Sequence, residues 1–394
     1  MTTAGAINLF GGNIKLNAGL TTTASNISLN GPVKVGANGV TLTSAGNITF
    51  TGDVTPDTNA TRSLGLTANS GTIQWATNLG SSALMFTDLN LSASNLAANA
   101  STTLFASNDI LVNADITKSS GADSTLTFKA GRHVSFGAAT DISSTSNKLN
   151  LLFHADTDKS GDGFIKFSGP SITTNGGSVQ FGVGDTAVLN SATVYVGGDV
   201  YFDGSVAQTV ATNAGNFTVW GETLVANAAG LTLNSGGGNV LFKGVLNSAN
   251  QYVGVNSASG LSWIQANTAA TGVANSYLAT ITSRLENSLA ALAGNYTTAW
   301  IGGRRQSDGT WRWAAGPEAG QAFTYTNWAS GEPNNCCAGT LNGLNYGGEN
   351  ASQFTGTNGN WNDLFDNGAR GATDLLNNYI RETTINAEIG RAHV

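Results

Sequence analysis

The sequence predicts a mainly β protein in two parts: a right-handed parallel β-helix over residues 1–245, then a small α+β domain over 246–387. Three observations carry this. Short alternating apolar and polar segments recur behind Gly, Asn or Ser turns through the first part. Residue usage changes near position 246, since all eight Lys lie at or before Lys243 and six of the eight Trp at or after Trp263. The second part opens with helical spacing and continues as Gly- and Trp-rich strands.

Composition sets the outer limits. Only 10% of the 394 residues are charged, with a formal net charge of −7. Phosphate binding needs clustered Lys and Arg, and no basic run occurs, which argues against a nucleic-acid partner. No apolar run approaches the ~18 residues of a membrane span, and MTTAGAINLFGGN lacks the basic and apolar regions of a secretory signal. The last residues, Glu388 to Val394, read EIGRAHV and look like the translation of a sequencing adapter, so 388–394 is set aside from fold reasoning. Together these ends lead us to expect a segment of a larger exported protein.

In the first part, Gly12-Asn13-Ile14-Lys15-Leu16-Asn17, Ser25-Asn26-Ile27-Ser28-Leu29-Asn30, Gly46-Asn47-Ile48-Thr49-Phe50, Gly177-Ser178-Val179-Gln180-Phe181 and Gly238-Asn239-Val240-Leu241-Phe242 share one plan. A turn residue precedes a strand with one buried face. Strands at such intervals suit stacked coils that bury their inward side chains only against their neighbours. With strands about 4.8 Å apart, some ten coils make a rod about 50 Å long. A sandwich or propeller is the competing architecture, but no blade-length repeat is visible. The pattern resembles the repeat region of filamentous-haemagglutinin-type bacterial adhesins, which implies a stalk or display surface. Parallel β-helices also host polysaccharide lyases, whose chemistry needs a base beside clustered acids. His133 and His154 stand isolated and are expected to be surface or turn residues. Asp156-Thr157-Asp158-Lys159-Ser160-Gly161-Asp162-Gly163 has acids at the spacing of a calcium loop, but Phe167 stands where the closing Glu belongs, so a solvated turn is expected.

In the second part, Trp263, Ala266 and Ala270 fall on one face of a first helix. A second opens at Ser283-Arg284-Leu285-Glu286, a capping-box pattern, buries Leu285, Leu289 and Leu292, and stops at Gly294. Tyr277-Leu278-Ala279-Thr280-Ile281 reads as a short strand between them. Trp300-Ile301-Gly302-Gly303 and Asp308-Gly309-Thr310-Trp311-Arg312-Trp313 read as strands around a turn, and a long loop follows in which acids and amides concentrate.

YLATITSRLEN, WIGG, DGTWRW, YTNWASGEPNN, GENASQF and GNWND occur in that order over about 250–385. This stretch resembles a C-type lectin domain, and six concordant motifs are far more specific than one. The resemblance implies that Glu332, Asn334, Glu349, Asn362 and Asp363 hold one Ca2+ ion, that the Asp363 carbonyl adds to the shell, and that the bond before Pro333 is cis. Calcium takes 6 to 8 oxygens at roughly 2.3–2.6 Å, and three carboxylates with two amide oxygens suit it. The resemblance also implies that the same five residues bind sugar: vicinal hydroxyls donate to Glu332 and Glu349 and accept from the amides of Asn334 and Asn362. The Glu-Pro-Asn form implies mannose-like sugars, whose 3- and 4-hydroxyls are equatorial, and the resemblance leads us to expect glycans of the mannose, glucose, N-acetylglucosamine or fucose type.

Several residues depart from that family. Ala270, Ala351 and Arg381 stand where its cysteines often occur, so core packing is expected to hold the domain. Cys336 and Cys337 sit side by side in the loop; free thiols, an inter-chain bond and a vicinal disulfide all remain open. The interval from Glu332 to Glu349 is long, with Gly339 to Gly348 as the insert. Asn335 and Asn350 replace acids of an auxiliary ion site. The resulting expectation is a bacterial surface or secreted adhesin that binds glycans through calcium and performs no chemistry. The alternatives are a β-helix enzyme acting on polysaccharide with a lectin targeting module, and a structural or protein-binding domain.

Overall fold

A computed structural model describes residues 1–385 apart from 76, 190–191, 227, 249, 337–338, 342–343, 347, 357–358 and 367–374. The chain is mostly β, with 5% helix, and forms two compact units, Met1–Ser248 and Ala249–Ile385. The expected adapter tail, Glu388 to Val394, lies outside the described residues.

The first unit is a β-solenoid of about 10 turns. Each coil contributes parallel strands to stacked ladders, so the same inward position recurs at every level. One ladder runs Ile7, Ile27, Ile48, Ile73, Leu96, Ile116, Ile142, Ile172, Val210, Leu233. A second runs Leu104, Phe128, Phe153, Phe181, Val219, Phe242. Rings stack along it, with Phe128–Phe153 centroids 5.4 Å apart and Phe153–Phe181 4.9 Å. β-branched and aromatic side chains fill this slot because each packs on an identical pleat one coil away.

Turn composition has an equally local cause. Asn47 N–H donates to Asn26 Oδ1 one coil below (2.8 Å), and Thr72 N–H donates to Asn47 Oδ1 (2.9 Å). The Asn78, Asn150 and Asn216 oxygens accept from Thr103, Ser178 and Asn239 N–H in the same way. Amides at turns, strand starts and a register shift are thus paired by side chains of the neighbouring coil. Glycine enters where turns stack too closely for a side chain: a Cβ on Gly215 would lie 2.0 Å from Gly177 O. Among the described residues, an antiparallel hairpin, Thr186–Leu189 with Ala192–Tyr195, interrupts the parallel pattern.

The second unit places two helices against a seven-stranded sheet. Gln251–Leu261 pairs antiparallel with the closing strand Leu376–Thr383, which also pairs with Ser276–Leu278. Thr298–Arg305 pairs with Trp311–Trp313 and with Ala351–Thr355, which pairs in turn with Trp361–Leu364. Helix α1, Trp263–Thr271, buries Trp263, Ala266 and Ala270 and carries a full capping box from Ser262 and Gln265. Helix α2, Arg284–Ala293, has Ser283 as its N-cap, but the Glu286 carboxylate accepts from Thr282 N–H at 2.7 Å, one residue before the position expected. Leu285 and Leu289 are buried, whereas Leu292 is only half-buried because the helix ends at Gly294 beside it. The insert folds back as a hairpin, Gly339–Leu341 with Leu344–Tyr346.

Two expectations about the solenoid change. His133, between two strands, and His154, the last residue of strand Leu149–His154, are both buried and not on the surface. His133 packs on Phe164 with centroids 4.3 Å apart, and burial drives its imidazole down to about 4. The His154 imidazole is also lowered by burial, against the opposing pull of Asp185. Asp156 is buried as well, and its carboxylate closes its own loop by accepting from Ser160 Oγ (3.1 Å) and Gly161 N–H (2.9 Å).

Candidate functional site

The Glu-Pro-Asn loop and the Trp-Asn-Asp strand meet because tryptophans zip them together. Trp361 is fully buried, and its Nε1 donates to Asn287 Oδ1 of α2 at 2.7 Å, while Asn287 Nδ2 donates to Gly359 O at 3.1 Å. Trp361 N–H donates to Asn327 O and Ala329 N–H to Trp361 O, both at 2.8 Å. Trp328 packs edge-on against Trp361. The chain leaving this clamp turns at Ala329–Glu332 and passes through a cis Glu332–Pro333 peptide.

Beyond Pro333, three successive backbone amides point at three carboxylates. Asn334 N–H donates to Glu332 Oε2 (3.0 Å) and Asp363 Oδ1 (3.2 Å). Asn335 N–H donates to Asp363 Oδ2 and Cys336 N–H to Glu349 Oε2, each at 3.0 Å. Asn334 also gives Nδ2 to Glu332 Oε1 and takes Cys336 N–H on Oδ1. Asn362 Nδ2 donates to the Asp363 carbonyl at 2.7 Å. Glu332, Asn334, Asp363 and Glu349 therefore share one hydrogen-bonded network, and Asn362 adjoins it through Asp363. Asp363 and Glu349 are buried, while Glu332 and Asn362 are half-buried and Asn334 is exposed.

Burial raises the Glu332 carboxyl above its ordinary range, and neighbouring Asp363 pushes it the same way. The donor set is entirely oxygen, which fits a hard divalent cation. Asn335 Oδ1 fits too, being buried with no hydrogen-bond partner beside these acids. Gly348 makes room for it, since a Cβ there would meet Asn335 Oδ1 at 2.1 Å. In the arrangement described, however, amides take up the carboxylates, and no three His, Cys, Asp or Glu side chains converge on a metal position among the described residues. The fit lies in donor chemistry and proximity, in a loop closed by its own N–H groups.

Sequence reasoning missed the role of the loop amides, because a backbone N–H leaves no mark in residue identity. It also missed the contact that Asn350 makes: its Oδ1 accepts from Asp366 N–H at 3.1 Å, and Asp366 pairs with Arg304. Cys336 is disulfide-bonded, so the free-thiol option does not hold for it; Cys337 lies outside the described residues. Where the family often has cysteines, Ala270 and Ala351 are fully buried.

No family model matches the chain. Halomucin of Haloquadratum walsbyi is 37% identical over 83 residues, a match covering 18% of this chain and 1% of halomucin. Solved structures similar to the chain are C-type lectin domains. The cow carbohydrate-recognition domain of CD23, in the presence of GlcNAc2Man3 oligosaccharide, is 26% identical over 34% of this chain and 87% of that one, with a TM-score of 0.25. The mouse scavenger receptor C-type lectin domain is 24% identical over 35% and 92%, TM-score 0.27. Its human counterpart is 23% identical over 34% and 91%, TM-score 0.26.

Proposed function

We propose that the second unit binds glycans through a calcium ion held by Glu332, Asn334, Glu349, Asn362 and Asp363, and that the solenoid displays it as part of a bacterial surface or secreted adhesin. The observation that carries this reading is the single network in which two buried carboxylates, a half-buried third and the Asn334 amide meet across a cis Glu332–Pro333 bond. When bound, the ion supplies positive charge and open coordination positions for vicinal hydroxyls. For those carboxylates to face an ion, the Asn334, Asn335 and Cys336 N–H groups would have to turn away from them. Glu332 and Glu349 would then accept hydrogen bonds from sugar hydroxyls, and Asn334 and Asn362 would donate to hydroxyl oxygens, so each sugar hydroxyl is matched as donor and acceptor.

The Glu-Pro-Asn form, by its resemblance, points to mannose-like sugars with equatorial 3- and 4-hydroxyls, and with them to mannose, glucose, N-acetylglucosamine or fucose type glycans. No bond is made or broken in this reading. His133 and His154, which a polysaccharide-cleaving solenoid would draw on as bases, are buried, with His133 Nδ1 and His154 Nε2 closed off from solvent, which favours binding over cleavage. The amide closure favours a second reading, in which the loop stays shut and the unit binds protein or serves structurally. The test is retention of the full chain on immobilised mannose with calcium, followed by chelator. Release by chelator supports the first reading, preferential retention on galactose overturns the specificity, and a folded chain that ignores calcium and a broad glycan panel supports the second.

A further inference from the structure

Far along the chain from the loop, Glu382 lies buried at 2% exposure in the closing strand. Its Oε1 accepts from Asn250 Nδ2 (2.6 Å) and Tyr277 OH (3.3 Å), and its Oε2 from Thr280 N–H (2.7 Å). These partners belong to the residue just before Gln251–Leu261, to strand Ser276–Leu278 and to the segment after it. One carboxyl thus ties the opening of the unit to its close, and Asn250 Oδ1 also accepts from Ile385 N–H at 3.3 Å.

The Asn250 and Thr280 hydrogen bonds favour a charged Glu382, but burial outweighs them. Glu286 of α2 adds repulsion, Glu318 reaches the same Thr280, and Tyr277 and Tyr252 lie opposite it in the sheet. Thr280 Oγ1 is the telling atom. It lies 2.8 Å from Glu318 Oε2 and 3.0 Å from Glu382 Oε2, yet a hydroxyl has one proton to give. If that proton goes to Glu318, the contact to Glu382 is a hydrogen bond only when Glu382 carries a proton of its own.

We propose that Glu382 is a pH-sensitive clasp on the ends of the second unit: protonated, it joins Asn250, Tyr277 and Thr280 to the closing strand, and ionised, it loosens them. Burial, with Glu286, pushes this carboxyl up to about 8, so the clasp is shut at neutral pH and opens in mild alkali. A folded-state value above the unfolded one means that stability is fully present at acid pH and lost as pH rises through that range.

The test is thermal unfolding of the full chain in chelator from pH 6 to 9, followed by tryptophan fluorescence. Chelator keeps the result independent of calcium and glycan binding. The expected result is a fall of about 5 °C or more in the midpoint of the second unit, with a flat profile for Glu382→Gln, which keeps the shape without the charge. Equal slopes in both proteins, or a midpoint that holds level or rises with pH in the wild type, overturn the proposal. Should the variant not fold, NMR of carboxyl-13C glutamate in the wild type decides: a Glu382 midpoint near 8 supports the clasp, and one below about 6 overturns it.

Discussion

Replacing Asp363 by Asn separates the structural role of this residue from its proposed role toward calcium. The native carboxylate is fully buried and takes Asn334 N–H at 3.2 Å and Asn335 N–H at 3.0 Å. A carboxamide keeps one acceptor. Turned toward Asn335, it preserves that bond and presents its NH2 to Asn334 N–H, which Glu332 Oε2 still accepts at 3.0 Å. One charge-assisted bond is lost, costing about 1–2 kcal/mol. Relief of the pressure that Asp363 exerts on the Glu332 carboxyl offsets part of this. Without calcium, Asp363→Asn is therefore expected to fold with a midpoint lowered by about 5 °C or less. The wild type behaves differently once calcium is added. An ion at 100 times its dissociation constant stabilises by about 2.7 kcal/mol, or about 10 °C for a unit of this size. Differential scanning fluorimetry with and without calcium reads both numbers. The reasoning fails if Asp363→Asn keeps the calcium shift of the wild type, or if the wild type has none at millimolar calcium.

Three further outcomes are expected. Trp361→Phe leaves Asn287 Oδ1 buried without its 2.7 Å donor, so the second unit should lose about 2–3 kcal/mol and bind calcium more weakly, measurable by denaturant unfolding and calorimetry. Gly215→Ala forces a Cβ to within 2.0 Å of Gly177 O; circular dichroism should record a lower solenoid transition while the second unit unfolds as before. His133, with a folded value of about 4 against an ordinary 6.5, gives stability that is present above pH 6.5 and lost as pH falls toward 4, about 3 kcal/mol in all. His133→Phe should flatten that acid limb, and an unchanged limb would count against burial as its cause.

Much of the solenoid was legible because its rules are local. Alternation marks the inward face, and a Gly or Asn ahead of each run marks the turn, as at Gly46-Asn47 and Gly238-Asn239. The helices were legible for the same reason: Trp263, Ala266 and Ala270 define one face by spacing alone. His133, His154 and Asp156 were not, because whether a residue in a turn or at a strand end is enclosed depends on the coil above and below it. Glu286 shifted its partner by one residue, which spacing cannot resolve.

By itself, then, the sequence determined a ten-coil β stack followed by an α+β unit with helices at Trp263–Thr271 and Arg284–Ala293, since periodicity and capping act over a few residues. It also put the acids and amides of the loop in order along the chain. Only the tertiary structure decided what those acids touch. The N–H groups of Asn334, Asn335 and Cys336 meet Glu332, Asp363 and Glu349 because a buried Trp361 pins one strand against the loop, and Glu382 meets Asn250 across 132 residues because the first and last strands of the unit pair. Side-chain chemistry is written residue by residue, whereas the pairing of a carboxylate with a distant amide follows from how the chain closes on itself.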